Sequence, residues 1–263
     1  MTLFDSHAHY NDEAFGSKEE RYTLLKELSE VENVKYILCA GTNPDTSKEC
    51  LKIAHDHDGI FASVGIHPSD LYDLEDPYAA LEEIRALAND PKAVAIGEIG
   101  LDYHWHTDKK DVQKDIFEKQ LLMAKEFNLP VIIHDREAHG DCLDIVLKHT
   151  DIRGVFHCFS GSKEMALELL KRGWYISFTG VVTFKNASKL LEVAQVVPDD
   201  RLLVETDCPY LTPHPFRSHR NHSGYMKYTV EKLAEIRNVT PDHIAEITMR
   251  NAAALFDKCN IEV

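Results

Sequence analysis

Six side chains able to hold a metal recur in one kind of setting along this sequence. His7 and His9 stand in FDSHAH, Glu98 in AVAIGEIGLD, His134 in VIIHDRE, His157 in GVFHCFSG and Asp207 in LLVETDCPYL. Each follows a short apolar run. The i, i+2 spacing of His7 and His9 puts both imidazoles on one face of an extended chain. Glu98 comes after five small or apolar residues, where a carboxylate needs something positive to meet it. A lone histidine in such a place is readily satisfied within a core. Four imidazoles and two carboxylates converging together are mutually repulsive or unsatisfied without a cation. A catalytic zinc usually takes three protein ligands and a water. Six donors therefore predict two divalent ions, roughly 3.5–4 Å apart and sharing a carboxylate. Glu98 is the expected bridge, because it comes from a strand between the others. Imidazole suits zinc, iron or nickel, whereas carboxylate and water admit manganese or magnesium. Beside such a pair a water is acidic enough to attack near neutral pH. Asp207 is the expected proton acceptor, able to touch both a metal and that water.

These residues need a scaffold that gathers them. Apolar runs begin near Leu3, Tyr36, Ile60, Ala93, Val131, Val155, Trp174 and Leu202. Amphipathic stretches lie between them, at Glu19–Val31, Thr46–His55, Tyr78–Ala88, Val112–Phe127, Ala138–Lys148, Lys163–Lys171 and Ala187–Val196. In Val112–Phe127 the apolar positions 112, 116, 117, 121, 124 and 127 keep a 3.6-residue period. Two more helical patterns, Gly224–Arg237 and Pro241–Phe256, close the chain. Eight alternating units predict parallel strands joined by crossover helices. At this length the expected closure is an α/β fold of the (β/α)8 TIM-barrel type, one domain over residues 1–263. An open doubly wound sheet is the alternative, weakened by the missing glycine fingerprint after the first strand. In a barrel the six candidates all fall at C-terminal strand ends, the face that carries active sites.

Composition limits the partners. The 263 residues are 44% hydrophobic and 28% charged, with a net charge of −15. Such a surface repels phosphate polymers and argues against an architectural nucleic-acid binder, though not against an enzyme gripping a few phosphates. The six cysteines form no C-x-x-C pair, which suits a reducing cytosol rather than a disulfide framework. Acidic Asp5 and the histidines after it break any leader-like apolar core. The longest stretch free of Asp, Glu, Lys and Arg, Gly173–Phe184, is too short for a membrane span. The expectation is a cytoplasmic protein with no membrane association and no obligate protein partner.

The strings FDSHAH, VGIHP, IGEIGLDY, VIIHDRE, HCFSG and ETDCPYL, with the closing RNAAALF, resemble the signatures of the TatD family of metal-dependent deoxyribonucleases. That family belongs to the amidohydrolase-type barrels, and the resemblance covers essentially the whole chain. It implies that His7, His9, Glu98, His134, His157 and Asp207 are the metal ligands. It also implies 3′ to 5′ exonuclease activity on DNA, with single strands or DNA ends as substrate. Many relatives carry a carbamylated lysine at the fourth strand, whereas this sequence has Glu98, as the TatD branch does. One departure stands out. The family commonly follows Arg-Asn with Glu-Pro after the eighth strand, and here the run is Arg220-Asn221-His222-Ser223.

Other polar groups near the expected mouth are candidates for substrate. His67, in GIHP, suits a phosphate oxygen. Tyr103 and Trp105 lie in the loop after Glu98 and suit stacking on bases, ahead of Tyr210 and Phe184. Lys185, Arg217 and Arg220 suit flanking phosphates. Ser160–Ser162 precede a helix whose N-terminus offers N–H groups to an anion, or simply cap it. Asp5 and Glu205 share strand parity with His7 and Asp207 and are expected to orient ligating imidazoles. His104 and His106 are not expected as ligands, because the shell is already full. A deoxyribonuclease is the leading reading. A carbonyl ester or amide hydrolase, such as an aminoacyl-tRNA deacylase or a cyclic amidase, uses the same nucleophile. A metal-stabilised binding protein without turnover is the third reading.

Overall fold

The computed structural model describes residues 1–105 and 108–262. Its eight strands are β1 (Leu3–Ala8), β2 (Val34–Ala40), β3 (Ile60–Val64), β4 (Ala93–Asp102), β5 (Val131–Arg136), β6 (Gly154–Phe156), β7 (Tyr175–Phe178) and β8 (Leu202–Val204). They form one sheet in chain order, and every neighbouring pair is parallel. The helices are α1 (Lys18–Glu30), α2 (Pro44–Asp56), α3 (Pro77–Leu87), α4 (Lys110–Phe127), α5 (His139–Lys148), α6 (Lys163–Lys171), α7 (Ser188–Val196), α8 (Met226–Arg237) and α9 (Pro241–Leu255). This is the (β/α)8 TIM barrel that the alternation predicts.

Local chemistry sets the element boundaries. Ser17 and Glu20 form a reciprocal capping box at the start of α1. Asn43 caps α2, and Pro44 occupies its first turn. That proline has no N–H to lose there, so α2 begins two residues before the periodicity at Thr46 shows it. All ten residues of β4 are buried, as expected for a parallel strand covered on both faces. The barrel interior holds Phe4, Leu38, Phe61, Val94, Ile132, Val155 and Leu203, and Met249, Ala252, Leu255 and Phe256 at the end of α9 pack against them. The Phe4 and Phe256 rings lie 6.1 Å apart. Phe4 opens β1, so α9 covers the end of the barrel opposite the six candidate residues.

Two irregularities matter for the site. The β4–β5 register shifts between Ile96 and Ile99, so Gly97 and Glu98 leave the ladder. Glu98 N–H donates instead to Gly41 O beyond β2 (2.9 Å). Glu98 is therefore not the end of the strand, as the apolar run suggests. The chain resumes pairing and continues to Asp102. Gly100 permits this path: its φ is +144°, and a Cβ there would lie 2.0 Å from His134 O.

The second irregularity is the seam between β8 and β1. Ser6 Oγ donates to Val204 O (2.9 Å), and Asp207 N–H donates to His7 O (2.9 Å). Asp5 is the centre of the seam. Its Oδ1 accepts from Thr206 N–H (2.9 Å), and its Oδ2 accepts from the hydroxyls of Thr206 (2.5 Å) and Ser223 (2.6 Å). Asp5 therefore fastens β1 to the segment after β8. It does not orient an imidazole, and the expectation from strand parity is corrected. Among the described residues no helix is long and apolar enough to cross a membrane.

Candidate metal centre

The six sequence-derived candidates meet at the C-terminal mouth of the barrel. Glu98 stands between two sets of imidazoles. Its Oε2 lies 3.3 Å from His7 Nε2 and 3.5 Å from His9 Nε2. Its Oε1 lies 2.8 Å from both His134 Nδ1 and His157 Nε2. Asp207 Oδ1 lies 3.3 Å from His9 Nε2 and 3.7 Å from His7 Nε2. The Asp207 backbone is left-handed (φ 55°), a conformation that costs a non-glycine residue on the order of 1 kcal/mol or more and is often found at functional sites.

The donor set fits divalent cations. His7 Nε2 and His9 Nε2 face each other at 3.1 Å. Two ring nitrogens pointed at one space need either a shared proton or a shared cation. The outer nitrogens show which is provided for. His9 Nδ1–H donates to Ala40 O (3.1 Å). His134 Nε2–H donates to Asp102 Oδ2 (3.1 Å). His157 Nδ1 faces Glu205 Oε1 at 3.3 Å. With the outer nitrogen protonated, each of these rings turns a lone pair toward the centre, the arrangement in which a metal-ligating imidazole is held. His7 Nδ1 is buried without a hydrogen-bond partner.

Electrostatics follow from this crowding. Burial alone raises the pKa of Glu98, but the facing His157, His67 and His7 outweigh it and hold the carboxyl well below its usual range. Burial and the His9 and His7 rings compete in the same way at Asp207, with a net lowering. Both carboxylates are therefore ionised and ready to bind a cation.

Asp102 is a site residue that the sequence reading missed. It is buried, and its Oδ1 accepts the N–H groups of His104 (2.9 Å) and Trp105 (3.1 Å). Desolvation opposes its charge, yet the bond from His134 and these amides bring it to about 2. Its even separation from Glu98 was the available signal. Replacing Asp102 by asparagine is expected to offer His134 a donor where it needs an acceptor. Metal affinity should fall about ten- to a hundredfold with little change in melting temperature, as read by titration against a fluorescent chelator.

His67 also reaches the centre. Its Nε2 lies 3.5 Å from Glu98 Oε1, and its ring lies 4.2 Å from that of His134. Burial, reinforced by His134, lowers its pKa to about 3. Its Nδ1 accepts Ser69 N–H (3.1 Å), so the proton of the neutral ring sits on Nε2. His67 is thus a donor aimed into the site.

The remaining candidates divide. Trp105 is 64% exposed, with the Arg136 guanidinium 5.3 Å from its ring. Tyr103 is not brought to the centre: its hydroxyl donates to Asp141 (2.6 Å), and Lys110 lies 4.0 Å over its ring. Arg220 is corrected too. It donates to Ala14 O and lies over Phe15, holding the loop before α1. Tyr210 ranked lower in the sequence, yet its half-exposed ring lies 6.3 Å from that of His9. Lys185 is exposed on the loop after β7. Ser162 caps α6 through Met165 N–H, which is the ordinary role of a serine there. The departure at Asn221-His222-Ser223 is accommodated: His222 caps the turn before α8, and Asn221 Nδ2 donates to Thr206 O and Tyr210 O. His104 pairs with Glu137 at 2.7 Å, away from ligand duty. His106 lies outside the described residues.

A parallel eight-stranded barrel with histidines and carboxylates gathered at its C-terminal mouth is the architecture of a metal-dependent hydrolase. Comparison with known proteins narrows the class. The family described as TatD related DNase matches residues 4–257, and the chain belongs to that family. It is 45% identical over 257 residues to the uncharacterized metal-dependent hydrolase YabD of Bacillus subtilis, covering 97% of this chain and 98% of that one. It is 37% identical to the uncharacterized metal-dependent hydrolase YcfH of Escherichia coli K12, over 97% and 96% of the two chains. Among solved structures, the TatD homolog YJJV of E. coli K12 superposes with a TM-score of 0.87 at 29% identity, covering 97% of this chain and 98% of that one. The organophosphorus hydrolase of Deinococcus radiodurans shares the fold, with a TM-score of 0.62 at 14% identity over 97% and 92% of the chains.

Proposed function

We propose that this hydrolase cleaves phosphodiester bonds of DNA at strand ends, using two divalent ions held by His7, His9, Glu98, His134, His157 and Asp207. The supporting observation is the division of Glu98: one oxygen faces His7 and His9, and the other faces His134 and His157. A carboxylate so placed suits a bridge between two ions. When bound, such ions supply Lewis acidity toward a phosphoryl oxygen and a nucleophilic water at neutral pH. Asp207, ionised at the mouth, accepts the proton of that water. His67 donates its Nε2 proton to a phosphate oxygen. Trp105 and Tyr210 present exposed rings to bases, and Lys185 faces the charge of the strand. The family description supports DNA as substrate.

The test is a screen of metal-reconstituted protein against single-stranded DNA, duplex DNA, RNA and aminoacyl-tRNA, with and without chelator. Chelator-sensitive shortening of DNA from the 3′ end supports the reading. Cleavage of the aminoacyl ester alone overturns it in favour of a carbonyl hydrolase. Replacing His67 by alanine is expected to lower kcat/KM on DNA about ten- to a hundredfold, the scale of one hydrogen bond to a charged group. The metal-to-protein ratio should stay unchanged, which elemental analysis checks.

A further inference from the structure

The rim beside this site has a charge distribution unlike the rest of the chain. Asp and Glu supply 44 of the 263 residues, yet none occurs from Thr179 to Leu191 or from Cys208 to Val230. The two segments are joined in space. His214 N–H donates to Thr183 Oγ1 (2.9 Å), and Gly180 packs so closely that a Cβ there would lie 2.4 Å from Leu211 O. Both segments follow the C-terminal ends of strands, on the face that carries Asp207.

Within this rim the Arg217 guanidinium lies 3.6 Å from the centre of the Phe184 ring and donates to Thr212 O (3.3 Å). The His214 ring meets the same phenyl ring edge-on at 6.0 Å. Lys227 is paired with Glu32, and Arg220 is engaged with Ala14 and Phe15. Lys185, Lys189 and Arg217 are exposed, and none has a carboxylate within ion-pair distance among the described residues. The unneutralised positive charge of the rim is therefore concentrated around Phe184.

We propose that the Phe184–Lys185–Arg217 rim is a binding track for single-stranded nucleic acid, holding the strand beyond the bond that is cleaved. The inference rests on the phosphodiesterase reading of the neighbouring site. A chain of net charge −15 repels a polyanion over most of its surface. An acid-free segment beside the mouth is where a strand can approach. Arg217, laid flat on an aromatic ring, keeps its outer face for a base, and Lys185 meets a phosphate. The track makes the enzyme favour long strands over small diesters.

The test uses a labelled, hydrolysis-resistant phosphorothioate single strand and the metal-loaded protein, read by fluorescence anisotropy across a salt series. Reversing both charges, Lys185→Glu with Arg217→Glu, is expected to weaken binding at least about tenfold. It should also make the slope of log affinity against log salt shallower by about 1.4, the value for two lost phosphate contacts on a single strand. Phe184→Ala should weaken binding about tenfold through lost stacking. In turnover, the charge reversal should lower kcat/KM for a long strand about tenfold more than for a dinucleotide. Unchanged affinity and slope would overturn the track, as would a wild type that cleaves dinucleotides without binding the long strand. A wild type that binds the strand but cleaves no phosphodiester supports the track and overturns the reading of the metal site. Both charged residues are exposed, so a melting temperature equal to wild type is expected and separates lost binding from misfolding.

Discussion

Glu98→Gln is expected to abolish hydrolysis almost completely, lowering kcat by roughly a thousandfold or more, the scale on which losing one electrostatic stabiliser of a transition state acts. The substitution changes one oxygen to an amide nitrogen and removes a negative charge. Four imidazoles face this carboxylate within 3.5 Å, so no other side chain can take over its position between them. On the two-ion reading, the metal-to-protein ratio should fall from near two to near one or below. Elemental analysis beside a rate measurement checks both parts. A variant that keeps two ions per chain would remove Glu98 from the bridging position, and a ratio near one in the wild type would make it an ordinary ligand. The contrast with His67→Ala is informative, because that change is expected to cost rate at full metal content.

Asp5→Ala is the second large effect, and it falls on stability. Asp5 is fully buried and accepts hydrogen bonds from Thr206 N–H and from the hydroxyls of Thr206 and Ser223. Alanine leaves these buried donors without an acceptor. Each orphaned group costs about 1–3 kcal/mol, so a loss of about 3–5 kcal/mol is expected after partial relaxation. Urea unfolding followed by circular dichroism measures it, with Asp5→Asn as the comparison. Asparagine keeps the shape and one acceptor oxygen, and the hydroxyls can rotate to accept from its amide. It should lose less than half as much. Equal losses for both variants would place the importance of Asp5 in its charge rather than its hydrogen bonds.

The parts legible in the sequence were those written locally. Each apolar run carries its own strand, and each candidate ligand stands beside its run, so His7, His9, Glu98, His134, His157 and Asp207 were found without knowing their distances. Glu98 was found but misplaced at a strand end, because a break in a ladder depends on the partner strand and not on the run itself. Asp102 was passed over as ordinary loop polarity, since its meaning comes only from the His134 ring 3.1 Å away. Arg220 was misread because its partner is a backbone carbonyl 206 residues distant, at Ala14, and a carbonyl has no side-chain identity to search for. Tyr103 failed for a related reason. Asp141 and Lys110 claim both its hydroxyl and its ring face, and neither contact follows from its place after Glu98. Asp5 showed the right parity and the wrong partner, because parity gives a face and not a neighbour.

The fastening of β1 to the segment after β8 has a kinetic consequence. Its bonds join residues about 200 positions apart, Ser6 with Val204 and Asp5 with Thr206. Contacts of such long sequence separation carry the greatest loop-closure cost, and they become affordable once intervening structure has shortened the loop. His7 and Asp207 lie on opposite sides of that junction. During refolding, circular dichroism should therefore recover before catalytic competence, with enzymatic activity reporting the last event of assembly.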